Sequence, residues 1–165
     1  MDIVADTPRL IIAKIEKSDT DSLFQLTGDQ RVMEYFPKVL NYSETNKMVD
    51  EILSQYEKHG YCYWKLLRNN RFDFIGIAGL LHQEIDGNVE TEISYRIRPR
   101  YWNRGFASEA AQACKEYAEK VLHKSKLISI IHPKNTASKR IATKLGAKQS
   151  GTTLFLGMEH ELFIY

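Results

Sequence analysis

Between residues 89 and 132 the hydrophobic period of the chain changes twice, and that order restricts the fold more than any other feature. Val89, Thr91, Ile93, Tyr95 and Ile97 alternate with Glu90, Glu92, Ser94 and Arg96, the two-residue period of a strand. Arg98-Pro99-Arg100 ends it. Ala107, Ala110, Ala111, Cys114, Tyr117, Ala118, Val121 and Leu122 then recur on one face of a helix. Leu127 to His132 follows as an apolar run of the kind buried on both faces of a sheet. Strand, helix and strand in that order predict a crossover between parallel strands, since such strands cannot be joined by a tight turn.

Upstream the strands are joined tightly instead. Tyr61 to Leu67 and Phe72 to Leu81 flank Arg68-Asn69-Asn70-Arg71, and Asp86-Gly87-Asn88 makes the next hairpin turn into Val89. Leu10 to Ile15 reads as an earlier strand. Ser18-Asp19 caps a short helix carrying Leu23, Phe24 and Leu26, and Arg31 to Phe36 reads as a further helical turn halted by Pro37. Ser43 is placed to cap a third helix, with Met48, Ile52 and Tyr56 on one stripe and Gly60 at its end. Asn135 caps another, with Ile141 and Leu145 inward and Gly146 beyond it; Thr152 to Leu156 and Glu161 to Tyr165 close as a hairpin around Gly157. The expected class is α/β of the α+β mixed kind: a mostly antiparallel mixed sheet of about seven strands with helices on both faces. With no linker or repeat, residues 1–165 read as one domain.

Composition narrows the functional classes. Lys and Arg number 23 against 21 Asp and Glu, a formal charge of +2, which argues against nucleic acid as a partner. The longest nearly apolar run, Phe74 to Leu81, is eight residues, far short of the roughly 18 a membrane helix needs. The opening MDIVADTPRL has no apolar core of a signal peptide, and Cys62 and Cys114 read as core filler, so a cytoplasmic location is expected. The five His are scattered and Asp19-Thr20-Asp21 lacks the rest of a calcium loop, so no metal site is expected.

The segment Trp102-Asn103-Arg104-Gly105-Phe106-Ala107-Ser108-Glu109-Ala110 bears most directly on chemistry. It lies between a strand and a long helix, where free N–H groups and the helix dipole attract an anion. Gly105 and Ala107 would let the backbone close on a phosphate; a plain strand-to-helix turn would use the same glycine to relieve strain. Neither a G-x-G-x-x-G fingerprint after a strand nor a P-loop is present.

Glu92 to Pro99 followed by YWNRGFASEA resembles the GCN5-related N-acetyltransferases (GNAT), most closely the branch that acetylates ribosomal-protein N-termini and its small-molecule relatives. TPRLIIAKI resembles that branch's first strand, FIGIAGLL its third, and NTASKRIATKLGA its Asn-x-x-Ser motif, so the likeness spans almost the whole chain. It implies acetyl-CoA as co-substrate and no metal. The strand holding Glu92 to Ile97 would splay from that of Leu127 to His132, strands four and five of the sheet, with pantetheine against the backbone at Tyr95 and Ile97. The pyrophosphate would lie on Asn103, Arg104, Gly105, Phe106, Ala107 and Ser108, and Asn135 would hold the pantetheine arm.

Two departures matter. Trp102 stands where the loop pattern has Gln or Arg, and Ala142 stands where many relatives place a Tyr acid. Ser138 is then the candidate to protonate the departing thiolate, and Glu92 the candidate base; a solvated strand-face charge is the other reading of Glu92. Deprotonating an α-amine at pH 7 costs only about 1 kcal/mol, against about 4.6 for a lysine, so one carboxylate suffices best for the former. The implied reaction is direct attack of a primary amine in a ternary complex. A protein N-terminal α-amine is the first expectation; a small amine (amino acid, polyamine or antibiotic) and a CoA-binding module without turnover are the rivals. The acceptor is expected near Arg31 to Phe36 and Thr152 to His160, with Tyr35, Phe36, Phe155 and Glu159 as lining, and Leu162 to Tyr165 offers an apolar end for a homodimer.

Overall fold

A computed structural model describes residues 1–165. Eight strands form one sheet: β1 (Ile3–Asp6), β2 (Leu10–Lys14), β3 (Tyr63–Arg68), β4 (Phe74–Ile85), β5 (Asn88–Ile97), β6 (Ile128–Ile131), β7 (Lys148–Phe155) and β8 (Met158–Ile164). The spatial order is β1-β2-β3-β4-β5-β6-β8-β7. Every neighbouring pair is antiparallel except β5 and β6, which run parallel as the crossover requires. The sheet holds eight strands rather than seven. The added strand is Ile3–Asp6, whose two exposed and two half-buried residues owe their strand to pairing with β2.

Four α-helices flank the sheet: α1 (Thr20–Thr27), α2 (Tyr42–His59), α3 (Phe106–Lys120) and α4 (Thr136–Lys144). The faces are divided by strand alternation. Ile93 and Ile97 pack with Leu10, Ile12, Leu66 and Leu80 beneath Ala110, Ala111, Cys114 and Ala118 of α3. On the other face Ile15, Tyr63 and Ile77 pack against Leu23 and Leu26 of α1 and Val49 and Ile52 of α2. Ala142 of α4 closes a smaller cluster with Ile131 and Phe163.

Caps and turns account for most local differences from the sequence reading. The N-cap of α2 is Asn41, not Ser43: its side chain accepts from the Glu44 amide at 2.9 Å, and Glu44 takes the Asn41 amide in return, a capping box. Arg31 to Phe36 is a series of turns rather than a helix. Asp29 takes both the Arg31 amide, at 2.9 Å, and its guanidinium, at 2.6 Å, and this side-chain chelation competes with helical hydrogen bonding. At the β4–β5 turn Asp86 and Gly87 both have positive φ, 48° and 77°, the twist that joins antiparallel strands in two residues.

The β5–β6 pair positions the site. Its strands meet at one residue pair, Glu92 and Ile128, and part beyond it. Ser129 closes the throat of this wedge, its hydroxyl donating to the Ile93 carbonyl at 3.0 Å. No helix is long and apolar enough to cross a membrane.

Candidate active site

A cavity of about 1390 Å³ passes through the wedge, reaching from the start of α3 on one side to the 31–38 turns and α2 on the other. Of the residues predicted for the site, Glu92, Tyr95, Ile97, Asn103, Gly105, Phe106, Ala107, Ser108, Asn135 and Ser138 all line it. Arg104 does not. Its guanidinium turns back to 5.8 and 5.5 Å from the rings of Tyr101 and Phe106, leaving the backbone to face the loop.

That backbone is built for an anion. From Asn103 through Ser108 no amide donates to a protein acceptor; Glu109 is the first to join the helical ladder, bonding the Gly105 carbonyl at 3.0 Å. Asn103 (φ 56°) and Gly105 (φ 80°) both sit in the left-handed region, which bends the chain so that successive N–H groups converge. Arg9 and Glu109 brace the turn. Arg9 donates from Nη1 to the Arg104 carbonyl at 2.8 Å and from Nε to Glu109 at 2.6 Å, while its guanidinium lies 4.5 Å over the Phe106 ring. Burial works against the Glu109 charge, but hydrogen bonds from Thr7 and Arg9 outweigh it and hold its carboxyl below the usual range. Nothing in the local pattern announces a brace between residues a hundred apart in sequence.

Glu92 projects from the opposite face of β5 to Tyr95. It is 5% exposed, so the solvated reading of its side chain is not what the fold produces. Burial pushes its carboxyl up to about 7, with the Gln83 hydrogen bond, the Ile130 amide and the Arg96 charge pulling the other way. Gln83 Nε2 donates to its Oε2 at 2.7 Å and fixes its orientation. A carboxyl balanced near neutrality is suited to take a proton at physiological pH.

Across the strand, Tyr95 and Ser138 lie together on the α4 side. Burial pushes the Tyr95 phenol well above its ordinary range, the neighbouring Ser138 hydroxyl opposing this in part. Asn135 caps α4 by accepting from the Ser138 amide at 3.1 Å, which uses its oxygen and leaves its NH₂ toward the cavity. Ala142 is 1% exposed, so no mobile group stands at that position.

The acceptor end is partly as expected. Tyr35, its ring 5.0 Å from His132, and Phe36 and Phe155 line the cavity, whereas Glu159 lies outside it, facing Thr152 across the hairpin. In Leu162 to Tyr165, Phe163 is core and β8 is paired on both edges, while Leu162, Ile164 and Tyr165 are half-buried. The exposed apolar residues of that hairpin are Leu154, Leu156 and Met158 at its tip. Sequence reasoning missed Gln83, Arg96, Tyr63 and Ser94 as lining; Tyr63 and Ser94 share a 2.8 Å hydrogen bond beneath the cavity.

The sheet is split beside an amide-rich helix start, with a buried carboxylate in the split, and residues 9–148 match the acetyltransferase (GNAT) domain model. The chain belongs to the GNAT acetyltransferase family. It is 31% identical over 147 residues to the uncharacterized protein YkkB of Bacillus subtilis, covering 88% of this chain and 86% of that one. The acetyltransferase (GNAT family) structure from Bacillus anthracis superposes with a TM-score of 0.82 at 26% identity, covering 100% and 98% of the two chains. RimL, a ribosomal L7/L12 alpha-N-protein acetyltransferase solved with coenzyme A, shares the fold with a TM-score of 0.78 at 16% identity over 99% and 97% of the chains. The protein is thus an N-acetyltransferase of this family.

Proposed function

We propose that this enzyme transfers acetyl from acetyl-CoA to a primary amine by direct attack within a ternary complex, with a protein N-terminal α-amine as acceptor. The observation that carries the reading is the buried Glu92 carboxyl, poised at about 7 in the wedge between β5 and β6. The pyrophosphate would rest on the amides of residues 103–108 and the pantetheine along β5 at Tyr95 and Ile97, held from α4 by Asn135. The amine enters from the α2 side, gives its proton toward Glu92, directly or through one water, and its nitrogen attacks the thioester carbonyl. The tetrahedral centre then collapses, breaking the C–S bond, and Ser138 protonates the thiolate.

An α-amine is favoured because one carboxylate near neutrality can deprotonate it at small cost, whereas a lysine asks several kcal/mol more. A polyamine finds little here: Arg31, Lys38, Lys47, Arg96, Arg140 and Lys144 outnumber Glu34, Glu44, Glu51 and Glu92 along the lining. The buried Ala142 in place of a tyrosine acid supports one other reading, a CoA-binding module without turnover. Release of free CoA thiol with a panel of amines, beside a thermal shift with acetyl-CoA, separates the two. Thiol release with an N-terminal peptide is expected; a shift without thiol release for any amine would establish the module, and no shift would remove the premise of CoA binding.

A further inference from the structure

Arg96 shares its face of β5 with Glu92 and Ser94 and lines the same cavity, yet no carboxylate is in contact with it; Glu92 feels its charge only from further off. None of the twelve ion pairs of the molecule includes it. Its Nε is closed off from solvent and donates to nothing. What holds it instead is soft: the guanidinium lies 3.9 Å over the Phe36 ring and 5.5 Å from the Tyr63 ring, and Nη1 is 3.8 Å from the Met48 sulfur. Aromatic faces support the plane of a guanidinium, and a thioether is a weak acceptor for one N–H, so the rest of its edge goes unsatisfied. The one buried Lys or Arg of this chain is treated differently: Lys65 is closed by Asp19 at 2.7 Å and by Glu16. A half-buried guanidinium whose Nε is closed off and unbonded, with no carboxylate in contact, matches a planar, bidentate oxyanion.

We infer that the acceptor is a primary amine that itself carries a carboxylate, and that Arg96 is the residue that selects it; the inference rests on the transferase reading above. Glu92 and Arg96 are four residues apart on one strand face, so their Cα atoms are about 13 Å apart and their side chains enter one cavity from one wall. An amine held at Glu92 and a carboxylate held at Arg96 belong to a single small group: a free amino acid, or the first residue of a chain beginning with Asp or Glu. A second ammonium in that place would meet the guanidinium and be repelled, which selects against polyamines.

The test compares kcat/KM for acids and their amides in two arms, glutamate against glutamine and isoglutamine, and a peptide beginning with Glu against one beginning with Gln. Spermidine serves as an amine without a carboxylate. The parent is expected to favour the acid by roughly 10²-fold in one arm, and that arm identifies the source. Arg96→Met, which keeps the length and packing, should remove the preference while leaving acetyl-CoA affinity unchanged; Arg96→Lys, with charge but no fork, should retain part of it. Equal rates for acid and amide in both arms, or an equal loss for both in Arg96→Met, overturns the inference while leaving the transferase intact. If no amine releases thiol, the transferase reading fails on its own. Calorimetric binding of the acids to the CoA-loaded parent and Arg96→Met then decides: a preference for acid over amide that vanishes in the variant supports Arg96, and no difference overturns it.

Discussion

Glu92 carries a conflict between stability and chemistry. Its carboxyl ordinarily titrates near 4.5, and burial lifts it to about 7, so the folded state holds that proton more tightly than the unfolded chain. Stability is therefore greatest through this group below pH 4.5 and is lost as pH rises through about 7, by up to about 3 kcal/mol. Glu92→Gln should recover that amount at pH 8, with no gain near pH 4, as read by calorimetric melting at both pH values. The same variant should lose about 10²–10⁴-fold in kcat at neutral pH and regain rate as pH rises and the amine deprotonates itself. A pH–rate profile matching the parent would remove Glu92 as the base. The residue's position on an alternating strand was legible; its burial was not, because Gln83 and the parting of β5 from β6 produce it. Arg96 was hidden for the same reason. Only the fold brings Phe36 and Met48 against it.

At the scale of elements, the start of α3 is the part most directly written in the sequence. Gly105 at its N-cap has φ 80°, and six successive amides from Asn103 remain free around it. A β-carbon there lies 3.1 Å from the Arg9 guanidinium and forces a strained backbone, and a carboxylate adds repulsion against a pyrophosphate. Gly105→Glu should therefore abolish acetyl-CoA binding in calorimetry; unchanged affinity would mean the phosphates bind elsewhere. Strands with clean alternation and the Asn135 cap were likewise readable, since period and capping are local properties. Ile3–Asp6 and the 29–36 turns were not. The first depends on its partner strand, and the second on Asp29 folding its side chain over Arg31.

The whole molecule is one sheet opened at one seam, with a single cavity reaching to either side of it. With a formal charge of only +2, the proposed site would meet an anionic cofactor with backbone dipoles at a helix start rather than with a basic surface. Loading that seam with acetyl-CoA at about 100 times its Kd should stabilise the fold by about 2.7 kcal/mol. The account as a whole turns on where the acetyl group goes. One peptide with a free N-terminal Glu and an internal lysine, incubated with enzyme and acetyl-CoA and sequenced by tandem mass spectrometry, answers this directly. One acetyl group is expected on the α-amine, with one equivalent of CoA thiol released; acetyl on the lysine alone, or no acetyl transfer from bound acetyl-CoA, would rule out an N-terminal amine acceptor.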